Sequence, residues 1–64
     1  MFNLNKLRQT RLALGFKQSY ISHLTGIPQS TISRIEKGER SPTIDEVVKI
    51  MQVLNMKPVE ILQA

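Results

Sequence analysis

Gln18 to Gly38, QSYISHLTGIPQSTISRIEKG, is the stretch whose reading decides the fold of this chain. Its first part, Gln18 to about Leu24, predicts a short helix. Thr25-Gly26-Ile27-Pro28 interrupts it, because glycine accepts a positive φ and proline cannot continue a helix. A second helix is expected to begin near Gln29. At 100° per residue, Ile32 and Ile35 point one way while Ser30, Ser33, Arg34 and Lys37 point the other, so the inner face is apolar and the outer face hydrogen-bonding. That outer face carries no carboxylate. With the Gln29 amide on its flank it offers hydroxyls, a guanidinium and an ammonium, which suit an anionic partner presenting acceptor groups, and duplex DNA is the candidate. The competing reading is an ordinary solvated face, but such faces usually mix both charge signs.

The glutamine at position 18, the small Ser22, Gly26, and Ser30-Thr31-Ile32-Ser33-Arg34-Ile35-Glu36-Lys37-Gly38 closely resemble the lambda-repressor-like (XRE-type) helix-turn-helix DNA-binding domains of phage and bacterial regulators. The resemblance runs from about Leu4 to Leu62. It implies an all-α, compact five-helix domain with helices at about 5–14, 18–24, 29–37, 44–54 and 58–63. Ser22 stands where that family usually has alanine, and Thr25 where many of its members carry an aliphatic residue. The resemblance also implies that Arg11 pairs with Glu36 and that Gln18 contacts phosphate. A carboxylate near the inner face, as the angular count places Glu36, needs a partner on physical grounds.

The composition sets the outer limits. A chain of 64 residues is expected to form one domain, 1–64, too small for a large enclosed catalytic cavity. Without cysteine there is no disulfide framework or thiolate metal site, and the single histidine, His23, cannot build a metal site by itself. No cofactor and no metal are expected. Paired carboxylates, a nucleophile with its base and a phosphate-cradling glycine loop are all missing, so the chain does not read as an enzyme. The formal charge of +4 and isoelectric point near 10.0 favour a polyanionic partner. The start lacks the pattern of a signal peptide and no apolar run reaches membrane-spanning length, so the expected setting is cytoplasmic, bacterial or phage-type and nucleoid-associated, with no membrane.

In chain order, helix 1 should start with Asn3 or Asn5 as N-cap and stop at Gly15, with Leu4, Leu7 and Leu14 inward and Phe16 covering the bottom of the core. The N-terminus of the second helix is a natural phosphate seat, with Lys17 and Tyr20 as helpers to Gln18. In the third helix Gln29 is placed to bond adenine and Arg34 guanine, and Ser30 suits several base edges. Ser33 and Thr31 are further base-reading candidates, with Thr31 divided between packing and contact. Gly38 is expected to cap that helix. Lys37 faces the backbone, and the connector and next helix start supply Arg40, Ser41 and Thr43 as a second phosphate cluster, for which a merely solvated loop is the competing reading.

Thr43-Ile44-Asp45-Glu46 is a capping-box pattern. Ile44, Val47, Val48, Met51 and Leu54 follow helical spacing and are expected to complete the core, with Asn55 as a left-handed stop. The surplus of apolar residues at Val53, Pro58, Val59 and Leu62 points to a symmetric homodimer contact, for which scattered surface apolar residues are the competing reading. The functional expectation is a sequence-specific transcriptional regulator, more a repressor than an activator, on an inverted-repeat operator. The alternative is an antitoxin or interaction module whose main partner is another protein, such as a toxin.

Overall fold

The computed structural model describes residues 3–61 and is built from helices α1 (Asn5–Ala13), α2 (Gln18–Thr25), α3 (Gln29–Glu36) and α4 (Ile44–Leu54), followed by a 3₁₀ turn at Pro58–Glu60. α2 packs on both α3 and α4, and α1 lies across α4 and α3. Leu7, Ile21, Ile27, Ile32, Val47, Ile50, Met51, Leu54, Met56 and Ile61 form the continuous core, and Leu4, Phe16 and Val53 close its edges. Each buried aliphatic side chain of this kind contributes about 1.5–3 kcal/mol relative to exposure.

α4 starts as its sequence demands. The Thr43 hydroxyl oxygen accepts from the Glu46 N–H at 3.1 Å, and the Thr43 N–H donates to Glu46 Oε1 at 2.9 Å. It ends at Asn55, which takes a left-handed φ of 56°, while the Met56 N–H reaches back to the Met51 carbonyl at 2.9 Å. α1 and α3 close in the same way. The Phe16 N–H donates to the Arg11 carbonyl and the Glu39 N–H to the Arg34 carbonyl, so carbonyls that the helix leaves unpaired are satisfied by the returning chain.

Several expectations are corrected. In place of the expected fifth helix, the described residues hold a 3₁₀ turn at Pro58–Glu60, with Pro58 at its first position, where a missing N–H costs nothing, and Ile61 following as a turn. Positions 62 and beyond lie outside the described residues, among them Leu62. α1 is capped by neither Asn3 nor Asn5. Leu4 occupies the N-cap in a helical conformation, and backbone carbonyls of Asn3 and Leu4 take the first N–H groups. Leu14 is 48 % exposed: α1 ends at Ala13, the inner position one turn after Leu7 belongs to Arg11, and Phe16 covers that end of the core. In α4 the inward positions are Val47, Ile50, Met51 and Leu54, whereas Ile44 and Val48 lie on the outer side, 65 % and 45 % exposed. Val53 is half-buried, packed against the edge of the core. Lys37 is the C-cap of α3, and Gly38 is the left-handed residue after it.

Candidate nucleic-acid interface

The turn between α2 and α3 is held by side chains as well as backbone. Gly26 has φ 77° and donates its N–H to the Ser22 carbonyl at 2.9 Å. The Ser22 hydroxyl donates to the Ile27 carbonyl at 2.6 Å. Thr25 Oγ1 donates to the Ile21 carbonyl at 2.7 Å and accepts the Ile27 N–H at 3.2 Å. The hydroxyls at 22 and 25 thus satisfy both backbone groups of Ile27, whose side chain is buried in the core. Thr25 is half-buried and Leu24 beside it is exposed, so the turn is held at this point by hydroxyl bonds in place of an aliphatic contact.

α3 leaves Pro28 in an extended conformation and buries Ile32 and Ile35, both 2 % exposed. Gln29, Ser30, Arg34 and Lys37 are exposed, while Thr31 and Ser33 are half-buried along the two flanks. The outward row is therefore an amide, a hydroxyl, a guanidinium and an ammonium. It joins the N-terminus of α2, where Lys17 is an extended N-cap with no side-chain cap bond and the first turn holds no acid. Tyr20 is exposed, its ring 4.8 Å from that of Phe16 at a tilt of 54°.

Beneath this surface lies a three-helix polar network. Arg11 Nε donates to Glu36 Oε2 at 2.7 Å and Nη2 to Oε1 at 2.8 Å, a two-pronged pair whose side chains are only 9 % and 7 % exposed. Arg11 Nη1 also donates to the Phe16 carbonyl at 2.8 Å. Gln18 Nε2 donates to Glu36 Oε1 at 2.9 Å, a bond that nothing in the sequence spacing announces. Burial alone would raise the Glu36 carboxyl. Hydrogen bonds from Arg11 and Gln18, with the charges of Arg11 and Arg8, outweigh it and hold the group below its ordinary value.

The second cluster is arranged differently from expectation. Arg40 is not a free cation: its Nη1 and Nη2 donate to Glu46 Oε1 and Oε2 at 2.8 and 3.2 Å, which makes it a strut from the connector to α4. Arg40 and then the Thr43 N–H hold the Glu46 carboxyl below its ordinary value. Thr43 is committed to the capping box, and Ser41 is exposed. Arg11, Arg40 and Lys49 are paired with Glu36, Glu46 and Asp45. Among the described residues, the cations without an ion pair are Lys6, Arg8, Lys17, Arg34 and Lys37, all before Gly38, and Lys57 after it. Unneutralised positive charge is thus concentrated on α1, α2 and α3.

Ile44, Val48, Gln52 and Pro58 border an apolar groove floored by Val47, Met51, Met56 and Ile61. Val59 stands nearby at 72 % exposure. No described helix is long and apolar enough to cross a membrane.

Two short helices across a tight turn, the second presenting a polar and cationic face, define a helix-turn-helix domain. Residues 7–61 match the helix-turn-helix family, and the chain belongs to it, as a DNA-binding transcriptional regulator domain of the lambda-repressor-like (XRE) type. An uncharacterised HTH-type transcriptional regulator of Bacillus subtilis (strain 168), YgzD, is 30 % identical over 53 residues, 83 % of this chain and 80 % of that protein. Another from Haemophilus influenzae is 33 % identical over 51 residues, 80 % of this chain but only 52 % of the longer relative. The crystal structure of the restriction-modification controller protein C.AhdI from Aeromonas hydrophila superposes with a TM-score of 0.83 at 28 % identity, covering 89 % of this chain and 86 % of that one.

Proposed function

We propose that this protein represses transcription in the bacterial cytoplasm by binding an inverted-repeat operator as a two-fold dimer. The single observation that carries the reading is the outward face of α3, where Gln29, Ser30 and Arg34 stand exposed over buried Ile32 and Ile35. In the major groove Gln29 bonds adenine, Arg34 bonds guanine through O6 and N7, and Ser30 and Ser33 meet neighbouring edges, with Thr31 at the flank. Lys17, Gln18, Tyr20 and Lys37 hold the phosphates on either side, joined by Ser41, and set the register of the reading helix. The likeness to a restriction-modification controller makes the promoter of such a gene pair a sensible first operator to try.

The test is selection of bound sequences from random duplex DNA, repeated with Arg34→Ala. The native chain should select a symmetric site whose half-sites lie about 34 Å apart, one helical turn. Arg34→Ala should cost roughly 1–3 kcal/mol and relax the preference at one base pair in each half-site. Unchanged preference would remove Arg34 from base reading.

The dimer surface in this reading is the apolar groove, with Ile44 and Val48 joining Pro58 and Val59, and Val53 half-buried outside it. Ile44 and Val48 sit one helical turn apart on the exposed side of α4, so charging both leaves the core untouched. Ile44→Asp with Val48→Asp should convert the dimer to a folded monomer in sedimentation and abolish preference for the paired site over a half-site. A native chain that sediments as a monomer, alone and on operator DNA, would remove the groove as a dimer surface.

A further inference from the structure

We propose that Glu36 is a positioning residue for DNA binding, acting through the Gln18 carboxamide. This rests on the reading that Gln18 meets a backbone phosphate. A carboxamide has a donor end and an acceptor end, and in the free protein an unconstrained one samples both, so part of the attraction to a phosphate is spent in turning the N–H end outward. Glu36 removes that freedom. An ionised carboxylate only accepts, so it draws the Nε2 end of Gln18 to itself at 2.9 Å and excludes the flipped amide.

Nε2 carries two hydrogens. One is taken by Glu36 Oε1, and the other has no partner among the described residues. It is left to donate beside the first N–H groups of α2, which have no side-chain cap. Glu36 is itself clamped by both prongs of Arg11, whose third donor is tied to the Phe16 carbonyl at 2.8 Å. The chain of contacts from α1 through α3 to the start of α2 fixes an atom that Glu36 never shares with DNA. The carboxylate lies under the surface with its side chain 7 % exposed, so it positions the donor without itself facing the phosphate.

The experiment is a double-mutant cycle on the full chain with Gln18→Ala and Glu36→Gln, read by binding to operator duplex and by thermal melting of the free protein. Glu36→Gln restores the ambiguity, because a second carboxamide can offer Gln18 either end. It should weaken binding several-fold in the native background, with about tenfold as the ceiling set by loss of the whole hydrogen bond to a charged group, and not at all when Gln18 is already alanine. Its effect on the melting temperature should persist in both backgrounds, as a purely structural role requires. Equal losses of affinity in the two backgrounds would overturn the proposal.

Should Glu36→Gln fail to fold, the native chain serves with the same operator duplex and the ¹⁵N-resolved side-chain protons of Gln18. One of the two should shift strongly on adding DNA while the one held by Glu36 stays. Movement of both, or of neither while α3 resonances shift, contradicts the mechanism. If no resonance of α3 or Gln18 responds to DNA, the DNA-binding reading itself is wrong and the inference goes with it.

Discussion

Arg11→Ala is expected to lower the free energy of unfolding by about 3 kcal/mol, which in a domain of this size moves the melting temperature down by roughly 12–24 °C. Removing the guanidinium leaves Glu36 as a poorly solvated carboxylate with Gln18 as its remaining side-chain donor. It also frees the Phe16 carbonyl at the end of α1. The figure is at the low end for a broken buried pair because Gln18 stays in place. Arg8→Ala removes an exposed charge from the same helix and should shift stability by less than about 0.5 kcal/mol. Equal melting of the two variants would mean that the pair does not hold α1 to α3.

The same network dictates how the native chain responds to acid. The folded pKa of Glu36 lies below its unfolded value, so the stabilisation is complete above the ordinary glutamate value of about 4.5 and is lost as pH falls through the lower folded value. Glu46 is shifted in the same direction and adds to this loss. The protein should therefore be indifferent to pH between neutrality and about 5 and destabilise below that, and Arg11→Ala should flatten this acid limb. Melting curves across the range measure both.

Binding of operator DNA should fall by about 10³ to 10⁵ between 50 and 200 mM salt if a two-fold complex neutralises roughly 6–10 phosphates, since each contributes about 0.9 to the log-log slope. The concentration of unpaired cations on α1 to α3 is the structural reason. Individual residues separate by slope. Lys37→Ala should reduce it by about 0.9 for every protomer bound. Arg40→Ala should leave it nearly unchanged, because the Arg40 charge is already answered by Glu46. A fluorescence-anisotropy titration series over salt makes the comparison, and a slope lowered by Arg40→Ala as much as by Lys37→Ala would show that Arg40 leaves Glu46 for phosphate.

The parts of this fold that the sequence made legible are those governed by neighbours along the chain. Two isoleucines three apart turn α3, Gly26 and Pro28 mark the turn before it, and a threonine three residues before a glutamate starts α4. What stayed hidden depends on distant partners or on a helix with too much apolar surface. α4 carries aliphatic residues on more than one side, so periodicity could not say that Val47 and Met51 go in while Ile44 and Val48 stay out. Arg40 has glutamates at 36, 39 and 46 within a short span of chain, and only the path of the connector selects Glu46. The bond from Gln18 to Glu36 crosses between helices, and the hydroxyls of Ser22 and Thr25 act on backbone groups that no pattern of side chains displays. At the chain start, a helical Leu4 denied both asparagines the extended geometry a side-chain cap needs.

Arg34 is usually thought of as a side chain, yet its carbonyl is also where the chain returning from α3 fastens, through the Glu39 N–H at 2.9 Å. That latch depends on Gly38 holding φ 77°, and since an added Cβ there would meet nothing within 4 Å, it is torsion and not crowding that reserves the site for glycine. A β-branched residue at 38 would be strained at this φ and should weaken the Glu39–Arg34 latch. If Arg34 reads a base as proposed, operator choice should respond to a substitution at Gly38, a position with no side chain to offer DNA, by displacement of the reading residue.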